Sequence, residues 1–286
     1  MTSSIPTTSV AELIDRYDAV LLDAYGVLID GQGALNGAPK MIEALNARAY
    51  PYWVVTNDAS RLPTTAAKRY ASLGLPIKED RIITAGSLLS DYFARNGWQG
   101  KPCLVVGPPD SAAYVAEAGG DVLDWADKDL SRAEAVIVGD EGGFDFIAHM
   151  NLALSAIFAR LDTGRSMRFV LPNPDLIYPA APGRFGFTAG SMALWFEAAL
   201  AHRYPDHPPI TFERLGKPYA AIYEAAMARA GSRNVVMVGD QIETDIRGAR
   251  AVGIDAALVT FGLTRKGLSH LADERRPTYL LHDWSI

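Results

Sequence analysis

An unbroken apolar run, Ala19-Val20-Leu21-Leu22, stops at the carboxylate of Asp23 and meets a glycine three residues later at Gly26. A run that is apolar on both faces suits a central strand of a parallel sheet, covered by helices on each side. Ligands of open α/β sheets bind beyond the carboxyl ends of such strands, which puts Asp23 at the mouth of a site. Acids also end strands by chance, so the weight of this one depends on what the other strands end in.

Two more runs end in the same manner. Tyr52-Trp53-Val54-Val55 closes on Thr56-Asn57, and Val235-Val236-Met237-Val238 closes on Gly239-Asp240. Between the first two, Pro39 opens a helix through Met41, Ile42 and Leu45, which completes a strand, helix, strand unit. A capping box at Thr8-Ser9 with Glu12 starts an entry helix ahead of the Asp23 strand. The turn-rich segment Asn96 to Pro102 restarts the rhythm with Cys103-Leu104-Val105-Val106, Ala135 to Asp140, a long helix from about Phe146 to Leu161, and Arg168 to Leu171. A loop is expected from Pro179 to Gly190, then a helix from Ser191 to His202. The chain returns to the first domain near Gly216-Lys217-Pro218. The expected fold is therefore α/β, a doubly wound parallel-sheet (Rossmann-like) core over 1–99 and 212–286, with a smaller α/β cap domain at 100–211.

Charge and cysteine usage narrow the partners. Lys and Arg number 27 against 33 Asp and Glu and are dispersed, which argues against nucleic acid or an anionic membrane as the main partner and favours a small molecule. Cys103 is the only cysteine, so no disulfide framework and no cysteine-built zinc site is expected, and the chain reads as cytoplasmic. Residues 1–9 carry neither a basic segment nor an apolar core of a signal peptide. A homodimer is admitted as an assembly.

Asp23, Thr56-Asn57 followed by Ser60-Arg61, Gly216-Lys217-Pro218 and Gly239-Asp240-Gln241-Ile242-Glu243-Thr244-Asp245 together resemble the haloacid dehalogenase superfamily. The α/β insert with Asn173-Pro174-Asp175 near its end resembles the class IIA, NagD-like phosphatase branch. That resemblance implies a Mg²⁺-dependent hydrolase, a phosphatase of a small phosphorylated metabolite working through an aspartyl phosphate on Asp23. It implies a metal held by Asp23, the Tyr25 backbone carbonyl, Asp240 and Asp245. Thr56, Asn57 and Lys217 are implied as stabilisers of the phosphoryl group, and Asp175 and Arg184 as cap residues that choose the substrate. Arg184 suits a carboxylate or phosphate in bidentate fashion, with Phe185 and Phe187 available to stack on a ring or to fill the cap core.

One position departs from the branch. Its phosphatases carry a general-acid aspartate two residues after the nucleophile, and here that residue is Tyr25. Asp-Ala-Tyr-Gly is the wording of the carbon-halogen hydrolases, but those lack the Gly239-Asp240 and Thr244-Asp245 metal pattern and carry a helical cap. A tyrosine, with an ordinary pKa of about 10, is a sluggish acid near neutrality. The alternatives that follow are a phosphometabolite-binding protein of weak turnover, or a carbon-halogen or phosphonate hydrolase. Asp30 reads as a turn residue before Gly31 and stays outside the site.

Overall fold

The computed structural model describes residues 4–181, 183–260, 271–284 and 286. The described residues form two units: residues 1–56, 63–84 and 217–286 make the first, and residues 57–62 with 85–216 make the second. The first unit is built on a seven-stranded sheet in which every neighbouring pair is parallel. Its order runs Thr7–Thr8, Tyr279–Leu281, Asp255–Val259, Val235–Gly239, Ala19–Leu22, Tyr52–Thr56, Ile82–Thr84. The three central strands are buried along their whole length, the pattern expected of strands covered on both faces. Because the sheet is parallel, their carboxyl ends share one edge. Leu22 pairs with Val238 and Val54, so Asp23, Asp240 and Thr56 all emerge there within two residues of one another in register.

The second unit carries a five-stranded parallel sheet ordered Glu213–Arg214, Arg168–Leu171, Ala135–Val138, Pro102–Val106, Asp121–Val122. The helices Phe146–Leu161 and Ala189–Arg203 pack their Met150, Ile157, Met192 and Phe196 side chains into a core with Val136, Val138 and Leu171. No helix among the described residues is long and apolar enough to cross a membrane.

The division of the chain differs from the 99/100 and 211/212 boundaries read from the sequence. The helix Leu88–Asn96 packs on Pro109–Glu117, and Phe93 meets Trp98 edge-on, so the second unit begins at Ala85. The segment 57–62 joins it because Ser111 Oγ donates to the Ala59 carbonyl, the Tyr114 hydroxyl donates to the Arg61 carbonyl, and Leu62 N–H donates to Asp110. The expected loop at 179–190 is instead largely a hairpin, Ile177–Ala181 against Arg184–Phe187, and Pro182 lies outside the described residues. Alternating Ile177, Pro179, Phe185 and Phe187 fall on one face of that hairpin, a period-2 pattern masked in the sequence by Pro and Gly. Phe185 and Phe187 are exposed, so they do not fill the cap core. The capping box formed as read, with Ser9 Oγ accepting from Glu12 N–H and Glu12 Oε2 accepting from Ser9 N–H.

Candidate active site

In the first unit the sequence brings three acids and one lysine to the carboxyl edge of the sheet, all buried. Asp23 is the residue after the Ala19–Leu22 strand, and its backbone N–H is held by the Val238 carbonyl of the neighbouring strand. Lys217 Nζ lies between two carboxylates, donating to Oδ1 of Asp23 at 2.5 Å and to Oδ1 of Asp245 at 2.7 Å. Carboxylate oxygens of Asp23, Asp240 and Asp245 lie within 4.8 Å of one another.

Two glycines make that crowding possible. Gly26 has φ +83°, and a Cβ there would stand 2.2 Å from Oδ2 of Asp240, so only glycine satisfies both the turn and the close approach. A Cβ on Gly239 would stand 2.2 Å from Cβ of Asp245. Asp245 itself sits in a single π-helical turn, Ile242–Ile246, a widened turn of the kind that recurs at functional sites. Its Oδ2 accepts from the backbone N–H groups of Asp240 and Gln241, while the Tyr223 hydroxyl donates to the Thr244 and Asp245 carbonyls. The side chain of Asp245 therefore has one oxygen on the lysine and one fixing the loop that carries Asp240.

The electrostatics follow from burial and charge count. Burial pushes the Asp23 carboxyl well above the usual carboxylate range; Lys217 pulls it back, and Asp245 and Asp240 push it up again. Burial alone would lower the Lys217 ammonium, yet the charges of Asp23 and Asp245 outweigh it and raise the group above an ordinary lysine. Among the described residues, one lysine is seen paired within a cluster of three buried acids, an excess of acids over cations. An all-oxygen, hard donor set with that excess fits a divalent cation such as Mg²⁺ or Ca²⁺.

The structure also sorts the remaining candidates. Thr56 is buried at the end of its strand, level with Thr84 of the next. Tyr25 is half-buried in the turn between Asp23 and Gly26, packed against the apolar core. Asn57 belongs to the second unit, where its Nδ2 donates to Oδ1 of Asp175 at 2.9 Å. Arg184 is exposed on the hairpin. Asp30 holds a turn by accepting from Gln32 and Gly33 N–H, as its sequence setting suggested. Asp140, Asn173 and Thr188, buried polar residues of the second unit, were not singled out as site residues from the sequence; the signal available was that Asp140 ends its strand after a glycine, as Asp240 does.

Comparison with known proteins bears on the chain as a whole. A family model described as haloacid dehalogenase-like hydrolase matches residues 20–121, and a second, HAD-hydrolase-like model matches residues 214–285. The D-glycerol 3-phosphate phosphatase of Mycobacterium tuberculosis is 28% identical over 274 residues, covering 95% of this chain and 71% of that protein. A possible sugar phosphatase of the HAD superfamily from Cytophaga hutchinsonii superposes with a TM-score of 0.82 at 28% identity, over 99% of each chain. A glycerol phosphate phosphatase from M. tuberculosis, solved in complex with magnesium, gives a TM-score of 0.80 at 25% identity over 97% of this chain and 77% of that one. With the matched segments holding Asp23, Thr56, Lys217, Asp240 and Asp245, and with structural likeness along nearly its whole length, the chain belongs to the haloacid dehalogenase-like hydrolases.

Proposed function

We propose that the protein is a Mg²⁺-dependent phosphatase of a small phosphorylated metabolite, with Asp23 as nucleophile. The observation that carries this reading is the buried cluster in which Lys217 bridges Asp23 and Asp245 beside Asp240. An Oδ of Asp23 attacks phosphorus, the bond to the leaving oxygen breaks, and water then cleaves the aspartyl phosphate to release inorganic phosphate and restore the carboxylate. Lys217 orients Asp23, favours its charged form against burial and offsets negative charge that grows on the phosphoryl oxygens. Thr56, and the Asn57 amide that follows it in the chain, are proposed to hydrogen-bond those oxygens.

Asp23, Asp240, Asp245 and the Tyr25 carbonyl would hold the cation, whose chemistry is to let an anionic phosphoryl group approach a carboxylate. Asp175 and Arg184 are proposed to set the choice of metabolite, a sugar phosphate, nucleotide or aryl phosphate. The names of the relatives, which act on glycerol 3-phosphate and sugar phosphates, support a phosphate monoester as substrate. A cytoplasmic setting accords with the single buried cysteine.

The test is phosphate release from a panel of metabolites by purified protein with Mg²⁺ and with a chelator. Mg²⁺-dependent release that disappears in Asp23→Asn, with the circular dichroism spectrum unchanged, is the expected result. Turnover that survives in Asp23→Asn would overturn the mechanism.

A further inference from the structure

Within the second unit a file of buried polar side chains runs inward from Asn57. Asn57 Nδ2 donates to Oδ1 of Asp175, and the Asp175 backbone N–H donates to Oδ1 of Asn173 at 3.0 Å. Asn173 Nδ2 donates to Oγ1 of Thr188 at 3.3 Å, and that hydroxyl donates to Oδ1 of Asp140 at 3.0 Å. Each amide is oriented by its partners, since Nδ2 of Asn57 faces a carboxylate and Oδ1 of Asn173 faces an N–H. Asn57, Asn173, Thr188 and Asp140 are all under one-tenth exposed.

Thr188 is the N-cap residue of the helix Ala189–Arg203, and its hydroxyl does not cap that helix. An N-cap threonine ordinarily turns its oxygen onto the first free N–H groups of its helix. Here the oxygen is spent on Asn173 and Asp140, and the helix start is used to grip the Asp175 segment. Gly190 N–H donates to the Asp175 carbonyl at 2.9 Å, and a Cβ on Gly190 would lie 2.4 Å from the Pro174 carbonyl oxygen. On the other side of Asn57, a Cβ on Gly216 would lie 2.5 Å from Oδ1 of Asn57. The Asn57 side chain is thus clamped between Asp175 and the backbone that leads into Lys217.

We infer that Thr188, Asn173 and Asp140 are positioning residues, a relay that fixes Asp175 and through it the side chain of Asn57. The inference rests on the phosphatase reading for its consequence: the Asn57 amide donates to the phosphoryl group only as well as it is aimed. Burial holds the Asp140 carboxyl above the ordinary range, and the neighbouring Glu141 and Asp58 add to that.

The experiment compares Thr188→Val, which keeps the shape and deletes the hydroxyl, with Thr188→Ser, which restores it. The readouts are kcat and KM on an aryl phosphate, the thermal midpoint, and the side-chain amide signal of Asn57 in ¹⁵N-resolved spectra. The relay predicts that Thr188→Val loses roughly 10-fold or more in kcat/KM, moves the Asn57 signal, and melts within a few degrees of the parent, and that Thr188→Ser recovers both the rate and the signal. Should the valine variant not fold, Thr188→Ala takes its place. An Asn57 signal unmoved in Thr188→Val overturns the relay whatever the rate does, and an unchanged rate in an active enzyme overturns its role in positioning. If the parent protein releases no phosphate, the phosphatase reading fails and the Asn57 signal alone decides the relay.

Discussion

Gly26 and Asp240 approach so closely that one added carbon on the glycine would stand 2.2 Å from a carboxylate oxygen. The turn after the Asp23 strand and the acid after the neighbouring strand therefore depend on each other. Gly26→Ala is expected to displace Asp240 and to strain a backbone at φ +83° by about 1–3 kcal/mol. A displacement of that kind costs on the order of 100-fold in kcat/KM. Calorimetric titration with Mg²⁺ should show weaker binding in the variant; unchanged binding and rate would separate Gly26 from the site.

The Lys217 ammonium pairs with both Asp23 and Asp245, and removing it leaves these two buried acids without that cation. Lys217→Met is expected to destabilise the chelated protein by about 3–5 kcal/mol, with part of the loss recovered on adding Mg²⁺. The pH dependence has a definite sign. The Lys217 pKa is raised on folding, so its contribution is fully present below the unfolded value of about 10.4 and is lost as pH rises through the folded value. The Asp23 pKa is also raised, so its contribution is present below about 3.9 and is lost as pH rises through its folded value. Chelated wild-type protein should accordingly lose stability across the acid-to-neutral range, an effect Mg²⁺ reverses. Denaturant titrations at several pH values check both; a stability that rises over that range in the chelated protein would contradict the burial of uncompensated acid.

The central strands and their terminal residues were readable because parallel strands buried on both faces leave continuous apolar runs, and the residue that ends each run is the one delivered to the edge. That rule delivers Asp23, Thr56 and Asp240 to the edge, and the family resemblance gives them their expected roles. Asp245 needed the family resemblance, since it hides in a π-helical turn, and Lys217 showed in the sequence only as a lone lysine before a helix. Short strands such as Thr7–Thr8 and Tyr279–Leu281 carry too few residues for a period to show. The 84/85 boundary was hidden because a helix that follows a strand in sequence gives no sign of which sheet it will cover. Thr188 was unreadable for a different reason: before a helix, threonine reads as a cap, and only the fold reveals that its oxygen is turned elsewhere.

The last expectation concerns Tyr25, which packs against the apolar core and which the proposed mechanism puts at the general-acid position two residues after Asp23. On the proposed mechanism the leaving oxygen of an alkyl phosphate needs a proton as its bond to phosphorus breaks, whereas an aryl or acyl oxygen leaves without one. Turnover should therefore fall steeply as the pKa of the leaving group rises. Tyr25→Asp places a carboxylic acid two residues after Asp23 and should raise alkyl phosphate turnover by about 100-fold, the lower range of what a positioned general acid supplies. Aryl phosphates should gain little, because proton transfer does not limit them. The smaller side chain also gives up core contacts, so the thermal midpoint of the variant should drop by a few degrees while its alkyl phosphate rate climbs. Equal wild-type rates on alkyl and aryl phosphates, with no gain in Tyr25→Asp, would show that another group already supplies the proton.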